Sequence, residues 1–440
     1  MKILMLGWEF PPYNVGGLGV ACHGLAKSLV KHGAQVTFVM PKAPMHAQSD
    51  FLQLIVADRI KLQQQSQEYI QQVADVLQVK EVPTLLAPYM TASEYEHIHQ
   101  RLLKKKINKQ DITYEQAHQD VSLDDQYGKD LFGEVYRYAH KVSLLSIKED
   151  FDVIHAHDWM TFKAGIAAKQ VSGKPLVIHI HNTAYDRSGG NPHGTEYEIE
   201  WEGFYHADKI IAISNYVKQS LIKHYAIPEY KIEVAHNGID VDNYETTPAP
   251  KKVNEKMVLF AGRVTLQKGP DYFLHAAKKI CDLRDDVKFV IAGNGDMLHS
   301  TIELAAQLGI AHKCMFTGRY TKQQGLELMH MADVFVMPSV SEPFGLVPLE
   351  AMMQHTPTVI SKQSGVVEVL RHTLSVDFWD THQLASKIAG LLDYKAMHEQ
   401  ISQEGASEVR TLTWDHAAKK CIEVFKQQIS NTRTPQALYH

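Results

Sequence analysis

Short apolar runs rich in Val, Ile, Leu and Met recur along both halves of the chain, separated by stretches whose apolar residues return every three or four positions. The first pattern predicts buried strands and the second amphipathic helices. Residues 2 to 40 read as one β-α-β unit: the strand KILML, a Gly-rich turn at Gly16 to Gly19, a helix closing at Gly33 and the strand VTFVM. Leu25, Leu29 and Val30 give that helix its buried stripe. From Pro44 to about Ser146 the chain turns rich in Gln and His, with helix-like stretches at Phe51 to Leu77 and Tyr127 to Leu145. A helical insertion over about 45–146 is expected there. Alternation resumes with FDVIHAHDW, a helix through Ala168, PLVIHIHNT and KIIAIS. A polar, Pro- and Lys-bearing segment, Val234 to Lys256, then reads as hinge and linker. A second series follows, with strands in VLFAGR, VKFVIAGNG, CMFTGR, DVFVMPS and PTVIS, and the last helical run is Trp414 to Gln428. Strands alternating with helices of ordinary length predict an α/β chain with two mostly parallel sheets. The expected divisions are 1–245, 246–412 and a terminal helix in 413–440.

Length agrees with this division, since 440 residues with 45% hydrophobic content suit two cores better than one. A net charge of -5 carries no basic bias, so nucleic acid is not expected as a partner. Cys22, Cys281, Cys314 and Cys421 form no C-x-x-C pair, which argues against a zinc ribbon or a disulfide framework and for a reducing cytoplasm. Lys2 is followed only by Ile3 to Leu6 before Gly7 and Glu9, a strand rather than a signal peptide. No run approaches the ~20 apolar residues of a membrane span. The basic run RLLKKKINK at 101–109 reads as a solvated helix face, so membrane association is not expected, and the oligomeric state is left open.

Candidate chemistry gathers where strands end. The run Asp333 to Met337 stops at Pro338 and Ser339, Glu342 follows in a loop shaped by Pro343 and Gly345, and Pro348 opens a helix with Glu350 in its first turn. On one continuous helix the two carboxylates would point about 80° apart, so a shared site requires the first to sit on a loop. Acids at the carboxyl end of a strand stand where open α/β sheets bind ligands. Arg263 ends the first strand of the second series, and Lys268 precedes Gly269 and Pro270 at a helix start. Two cations beside helix amide groups suit a diphosphate. Ser364, Gly365 and Val366 follow the PTVIS strand and are expected to add backbone N–H groups for an anion. Gly16 and Gly17 permit close approach of backbone to ligand. The Gly-rich turn continues with Val20, Ala21 and Cys22, and no acid ends the second strand, so a nicotinamide dinucleotide is disfavoured. The pairs His155/His157 and His179/His181 each share a strand face, yet no third ligand stands at an obvious spacing. They are expected to line or pack a crevice without metal. Asp240 to Asp242 follow Asn237 and Gly238 and read as a turn.

Taken together, SEPFGLVPLEAM resembles the E-x7-E signature of retaining glycosyltransferases of the two-domain GT-B architecture, family 4 and its glycogen-synthase relatives. The GR-x4-KG pattern at Arg263 to Gly269 resembles the family's phosphate clamp. HAHDWMT resembles the synthase motif H-x-H-D-W, and HNTAY resembles HN-x-x-Y. YNVGGLG resembles the K-x-G-G-L loop, with Asn14 where the synthases carry Lys. That departure and the presence of Glu350 move the chain toward family 4. The resemblance implies two Rossmann-like domains about a cleft, with the terminal helix crossing back onto the first. It implies a nucleotide-sugar donor held by Gly16, Gly17, Arg263, Lys268, Glu342, Phe344, Gly345, Leu346, Glu350, Ser364 and Gly365. Glu350 would accept from the ribose hydroxyls and Glu342 from the sugar's, while Arg263 and Lys268 neutralise the departing diphosphate. His181 would sit over the transferred sugar, with Asp158, Trp159, Asn182 and Tyr185 on the acceptor side. No cofactor or metal is implied. The expected reaction is transfer of glucose from ADP-glucose or UDP-glucose to an α-1,4-glucan. The alternatives are a transferase making sucrose, trehalose or a cell-surface polysaccharide, and a catalytically silent sugar-binding protein, which the presence of all five of Glu342, Glu350, Arg263, Lys268 and His181 disfavours.

Overall fold

A computed structural model describes residues 1–12, 16–43, 48–59, 131–192, 194–244 and 255–433. Asn14, the RLLKKKINK run and most of the Gln- and His-rich segment lie outside the described residues.

The first half forms a seven-stranded sheet from β1 (Lys2–Leu6), β2 (Gln35–Met40), β3 (Gln53–Val56), β4 (Val153–His157), β5 (Leu176–Ile180), β6 (Lys209–Ala212) and β7 (Ile232–Val234). Its spatial order is β3-β2-β1-β4-β5-β6-β7, and every pairing is parallel. The second half forms a six-stranded parallel sheet from β8 (Lys256–Ala261), β9 (Val287–Ala292), β10 (Cys314–Gly318), β11 (Val334–Met337), β12 (Thr358–Ser361) and β13 (Leu374–Val376), ordered β10-β9-β8-β11-β12-β13. β4, β5 and β11 are buried along their whole length. Parallel strands covered on both faces have this character, which is why they read as unbroken apolar runs. Both sheets reverse their order beside the first strand, between β1 and β4 and between β8 and β11. Doubly wound sheets bind ligands at these switch points, outside the strands' carboxyl ends.

The connecting helices are α1 (Gly17–Lys31), α2 (Leu131–Lys148), α3 (Trp159–Ser172), α4 (Ala184–Arg187), α5 (Thr195–His206) and α6 (Asn215–Tyr225) in the first half. The second has α7 (Pro270–Cys281), α8 (Leu298–Gln307), α9 (Lys322–Met331), α10 (Val347–Met353), α11 (Thr381–Asp393), α12 (Lys395–Val409) and α13 (Trp414–Arg433).

The expected helix at Phe51 to Leu77 is corrected at its start. Gln53–Val56 is the edge strand β3, paired in register with Thr37 to Met40. Four residues are too few for periodicity to separate strand from helix, and the Gln-rich surroundings mask the signal. Likewise α2 is no appendage: Leu131, Val135, Tyr138 and Val142 are buried in the first core, and the Tyr138 hydroxyl donates to the Val39 carbonyl at 2.7 Å.

Among the described residues the outgoing and returning crossings between the halves touch. Ile239 forms a parallel bridge with Thr413, and the Ile239 amide donates to the Leu412 carbonyl at 2.8 Å. A Cβ on Gly238 would lie 2.4 Å from the Thr413 carbonyl carbon, so only glycine admits this approach. After the return crossing, α13 lies on the first half. Asp415 accepts from the Ser28 hydroxyl at 2.6 Å and pairs with Lys31 at 2.7 Å, Lys420 pairs with Glu233 at 3.0 Å, and the Phe425 ring stands 4.9 Å from His155.

Candidate active site

On the second half the site is built at the switch point between β8 and β11. The chain leaving β11 passes Ser339 and turns Glu342 inward, where it is buried. Its carboxylate takes the Lys268 ammonium and, at 3.2 Å, the Ser339 hydroxyl. The loop is stitched to the segment after β12: Glu342 N–H donates to Gln363 C=O, Gly365 N–H to Glu342 C=O and Val366 N–H to Phe344 C=O, each at 2.9 Å. The Gly365 and Val366 amides, expected as anion donors, are thus already engaged by the glutamate loop. Through these bonds Gly365 and Val366 hold the loop's shape. Phe344 is buried, and Gly345 has φ +101°, which lets the chain turn over Met337. Leu346 is the residue before α10, and Glu350 lies in that helix's first turn. Glu350 accepts from the Tyr244 hydroxyl at 2.9 Å; burial raises its pKa, while that bond and the Lys322 charge pull it back.

Arg263 follows β8, and its guanidinium reaches the Gln267 side chain at 3.5 Å. Lys268 ends a short 3₁₀ turn, and Gly269, at φ +65°, passes the chain to Pro270 at the start of α7. The turns after β8 and β9 meet backbone to backbone, since a Cβ on Gly293 would lie 1.7 Å from the Gly262 oxygen and one on Gly295 2.1 Å from the Val264 oxygen. These glycines escaped the sequence reading, although A-G-N-G after an apolar run carried the signal.

On the first half, Gly16 N–H donates to the Glu9 carboxylate at 3.1 Å, and a Cβ there would strike that carboxylate at 2.6 Å. A Cβ on Gly17 would meet open space. Asp158 takes φ 58° between β4 and α3, and its carboxylate accepts from the His181 N–H at 2.7 Å and the Asn182 N–H at 3.4 Å. Burial pushes its pKa up to about 7 against those bonds and the Arg187 charge. The His181 imidazole bonds to His157 at 2.9 Å, and burial lowers its pKa to about 3, so the ring is neutral. His155, His157 and His179 lie in the same buried group and could be brought onto one metal ion, as could Cys22 with His157 and His181. Asn182 leaves its side-chain oxygen buried and unpartnered, while its carbonyl accepts from Arg187 at 2.8 Å. Tyr185 stacks on His224 with centroids 3.6 Å apart. Trp159, expected on the acceptor side, is instead buried against Phe132 of α2 and supports the site from within the core.

Two sets of expected residues are therefore assembled: Glu342, Lys268, Ser364 and Gly365 on one half, and Asp158, His181 and Asn182 on the other. Residues absent from the sequence reading join them. Ser341, next to Glu342, donates to Asp186 of α4 at 2.7 Å and accepts from Tyr216 at 3.0 Å. Ser214 donates to the Pro343 carbonyl at 2.6 Å. Glu368 accepts from the Asn215 and Tyr216 amides at 2.8 and 2.7 Å, completing the amino end of α6, and meets His236 at 2.7 Å. The loop carrying Glu342 is thus docked on the half that carries His181.

Comparison with known proteins agrees with this architecture. Residues 2–231 match the family model for the starch synthase catalytic domain, and residues 245–408 match that for glycosyl transferases group 1. An uncharacterized glycosyltransferase of Methanocaldococcus jannaschii is 29% identical over 97% of this chain and 98% of its own length. A glycogen synthase of Mycobacterium tuberculosis is 24% identical over 99% of this chain and 97% of its own. Among solved structures, sucrose-phosphate synthase from Thermosynechococcus elongatus superposes with a TM-score of 0.70 at 17% identity, covering 98% of this chain and 99% of that one, a likeness of GT-B fold. A sheet order, a docked glutamate loop and two adjoining family matches converge, and the chain belongs to the glycosyltransferases of the starch and glycogen synthase type, a family of hexosyltransferases.

Proposed function

We propose that the chain transfers glucose from ADP-glucose or UDP-glucose, with retention of configuration, to the non-reducing end of an α-1,4-glucan. The observation that carries this reading is the Lys268–Glu342 pair, with Arg263 at the same switch point, on a chain whose other half matches the starch synthase catalytic domain. Without a ligand, the ammonium and the carboxylate neutralise each other. A nucleoside-diphosphate sugar would separate them: Lys268, with Arg263, meets the diphosphate, and Glu342 turns to the sugar's hydroxyls. The cations would then stand where negative charge grows as the glycosidic bond breaks, the place where fixed charge lowers a barrier most. Glu350, steadied by Tyr244, would accept from the ribose hydroxyls. His181 presents a neutral ring to the sugar, and Asp158 fixes its backbone. An acceptor hydroxyl arriving on the face from which the diphosphate leaves would give retention.

Two fixed cations supply the charge that a divalent ion would otherwise bring, so the reaction needs no metal in this reading. Among the described residues no helix is long and apolar enough to cross a membrane. A nucleotide-sugar donor sets the proposed reaction in the cytoplasm. The test is a screen of ADP-, UDP- and GDP-sugars against glycogen, maltooligosaccharides and simple sugars, following nucleotide release and product size. Elongated glucan from ADP- or UDP-glucose is the expected result. Transfer only to a monosaccharide or sugar phosphate would replace the glucan by the sucrose or trehalose class, and binding without nucleotide release would make this a sugar-binding protein.

A further inference from the structure

Four imidazoles lie side by side in the first sheet. Strand alternation turns His155 and His157 of β4 to one face, and the parallel register sets His157 opposite His179 of β5, with His181 two residues on. His155, His157 and His179 are fully buried, and Phe425 of α13 closes over His155. Their ring nitrogens form a single path. His181 Nε2 meets His157 Nδ1 at 2.9 Å, His157 Nε2 meets His155 Nδ1 at 3.3 Å, and His155 Nε2 meets His179 Nδ1 at 3.2 Å. His179 Nε2 ends the path, buried and without a partner.

This pattern differs from that of a metal centre. Ligand rings aim one nitrogen each at a common point, whereas His155 and His157 each spend both nitrogens on different neighbours. A neutral imidazole has one N–H and one bare nitrogen. Three links between four such rings can be satisfied only if every proton sits on Nδ1 or every proton sits on Nε2. Any mixed arrangement sets two N–H groups, or two lone pairs, against each other. In a dry interior such a clash costs most of what the bond would give.

We propose that His157, His155 and His179 are positioning residues that fix, as one unit, the tautomer of His181 and hence whether its remaining nitrogen, Nδ1, donates to or accepts from the sugar. The functional part rests on the reading of His181 as a sugar contact given above; the shared tautomer does not. Burial holds all four rings neutral, which keeps the unit intact at ordinary pH. The assignment explains why side chains this polar stand at core positions where Val or Ile would serve the sheet.

The test is ring-¹⁵N NMR of the full chain, with the four histidines assigned by single substitution. All four rings are expected to show the same tautomer and not to titrate near neutrality. Two different tautomers among them would overturn the proposal, as would stoichiometric zinc or copper bound to these rings. The tautomers themselves are read in the unsubstituted chain, and a Gln replacement serves for assignment wherever another substitution fails to fold. His157→Leu removes the ring that His181 faces, and His181 is expected to become a tautomer mixture while turnover drops roughly 10-fold or more at nearly constant donor KM. His157→Gln, whose amide offers both a donor and an acceptor, is expected to restore both readouts. An unchanged His181 tautomer in His157→Leu would also overturn it. A uniform tautomer combined with full transfer by His181→Gln would leave the chain of rings standing and remove His181 from the sugar site.

Discussion

Lys268 and Glu342 are separated by 74 positions yet share one bond. Each was legible because it sits inside a short motif at a strand end. Glu9, Asp186, Ser341 and Glu368 were not, because their partners lie on other elements: the Ser341–Asp186 bond spans 155 positions, and nothing near either residue announces the other. Replacing Lys268 or Arg263 by Ala is expected to lower turnover by ~10² to 10³ while leaving glucan affinity nearly unchanged, as separate kinetic and binding assays would show. Transfer is expected to persist in excess chelator, and its abolition would return the histidines to the role of ligands. The buried titratable groups also set a pH dependence. His155 and His181 are lowered to about 3 and their two neighbours well below the usual value, so between about pH 3 and 6.5 the unfolded chain binds protons that the folded chain refuses. Stability from these four is complete above about 6.5 and is lost as pH falls. Burial raises Asp158 to about 7 and raises Glu200 of α5 against the pull of its Arg187 partner, so their contribution runs the other way, present in acid and lost as pH rises. Four groups outweigh two: denaturant melts are expected to weaken from pH 6.5 to 4.5, with each net proton worth about 1.4 kcal/mol per pH unit, and to flatten in His155→Leu.

At the scale of elements, most strands were readable because double burial leaves them continuous and apolar, and α10 was readable from Pro348. β3 failed that test, being only four residues long at a sheet edge. The partners of the Gly365 and Val366 amides were not legible, because a sequence shows that a turn is present, not which carbonyl takes its N–H groups. The same turn yields a prediction. A Cβ on Gly365 would lie 2.3 Å from the Pro343 oxygen and 2.5 Å from Ser214 Cβ, so Gly365→Ala is expected to push the glutamate loop off α6. Loss of activity with the first half's near-ultraviolet circular dichroism preserved would be the signature, and wild-type turnover would contradict it.

In the whole molecule the two sheets repeat one topology, and α13 belongs by contact to the half it does not adjoin in sequence. Trp414, Ala417, Ala418, Cys421, Val424 and Phe425 are all buried, so a chain ending before Trp414 would expose a broad apolar strip on the first half. Such a chain is expected to aggregate or to lose most of its thermal stability, as scattering and calorimetry would reveal; an equally stable monomer would refute that placement.

The bridge between Ile239 and Thr413 sets the kind of motion open to the enzyme. Outgoing and returning chains lie side by side, so a swing of either half that keeps the bridge would turn about the line they share. Sliding would tear the bridge, whereas rotation leaves it whole. Any such turn must also release the Ser341–Asp186 and Ser214–Pro343 bonds, so opening the cleft and freeing the glutamate loop would be a single event.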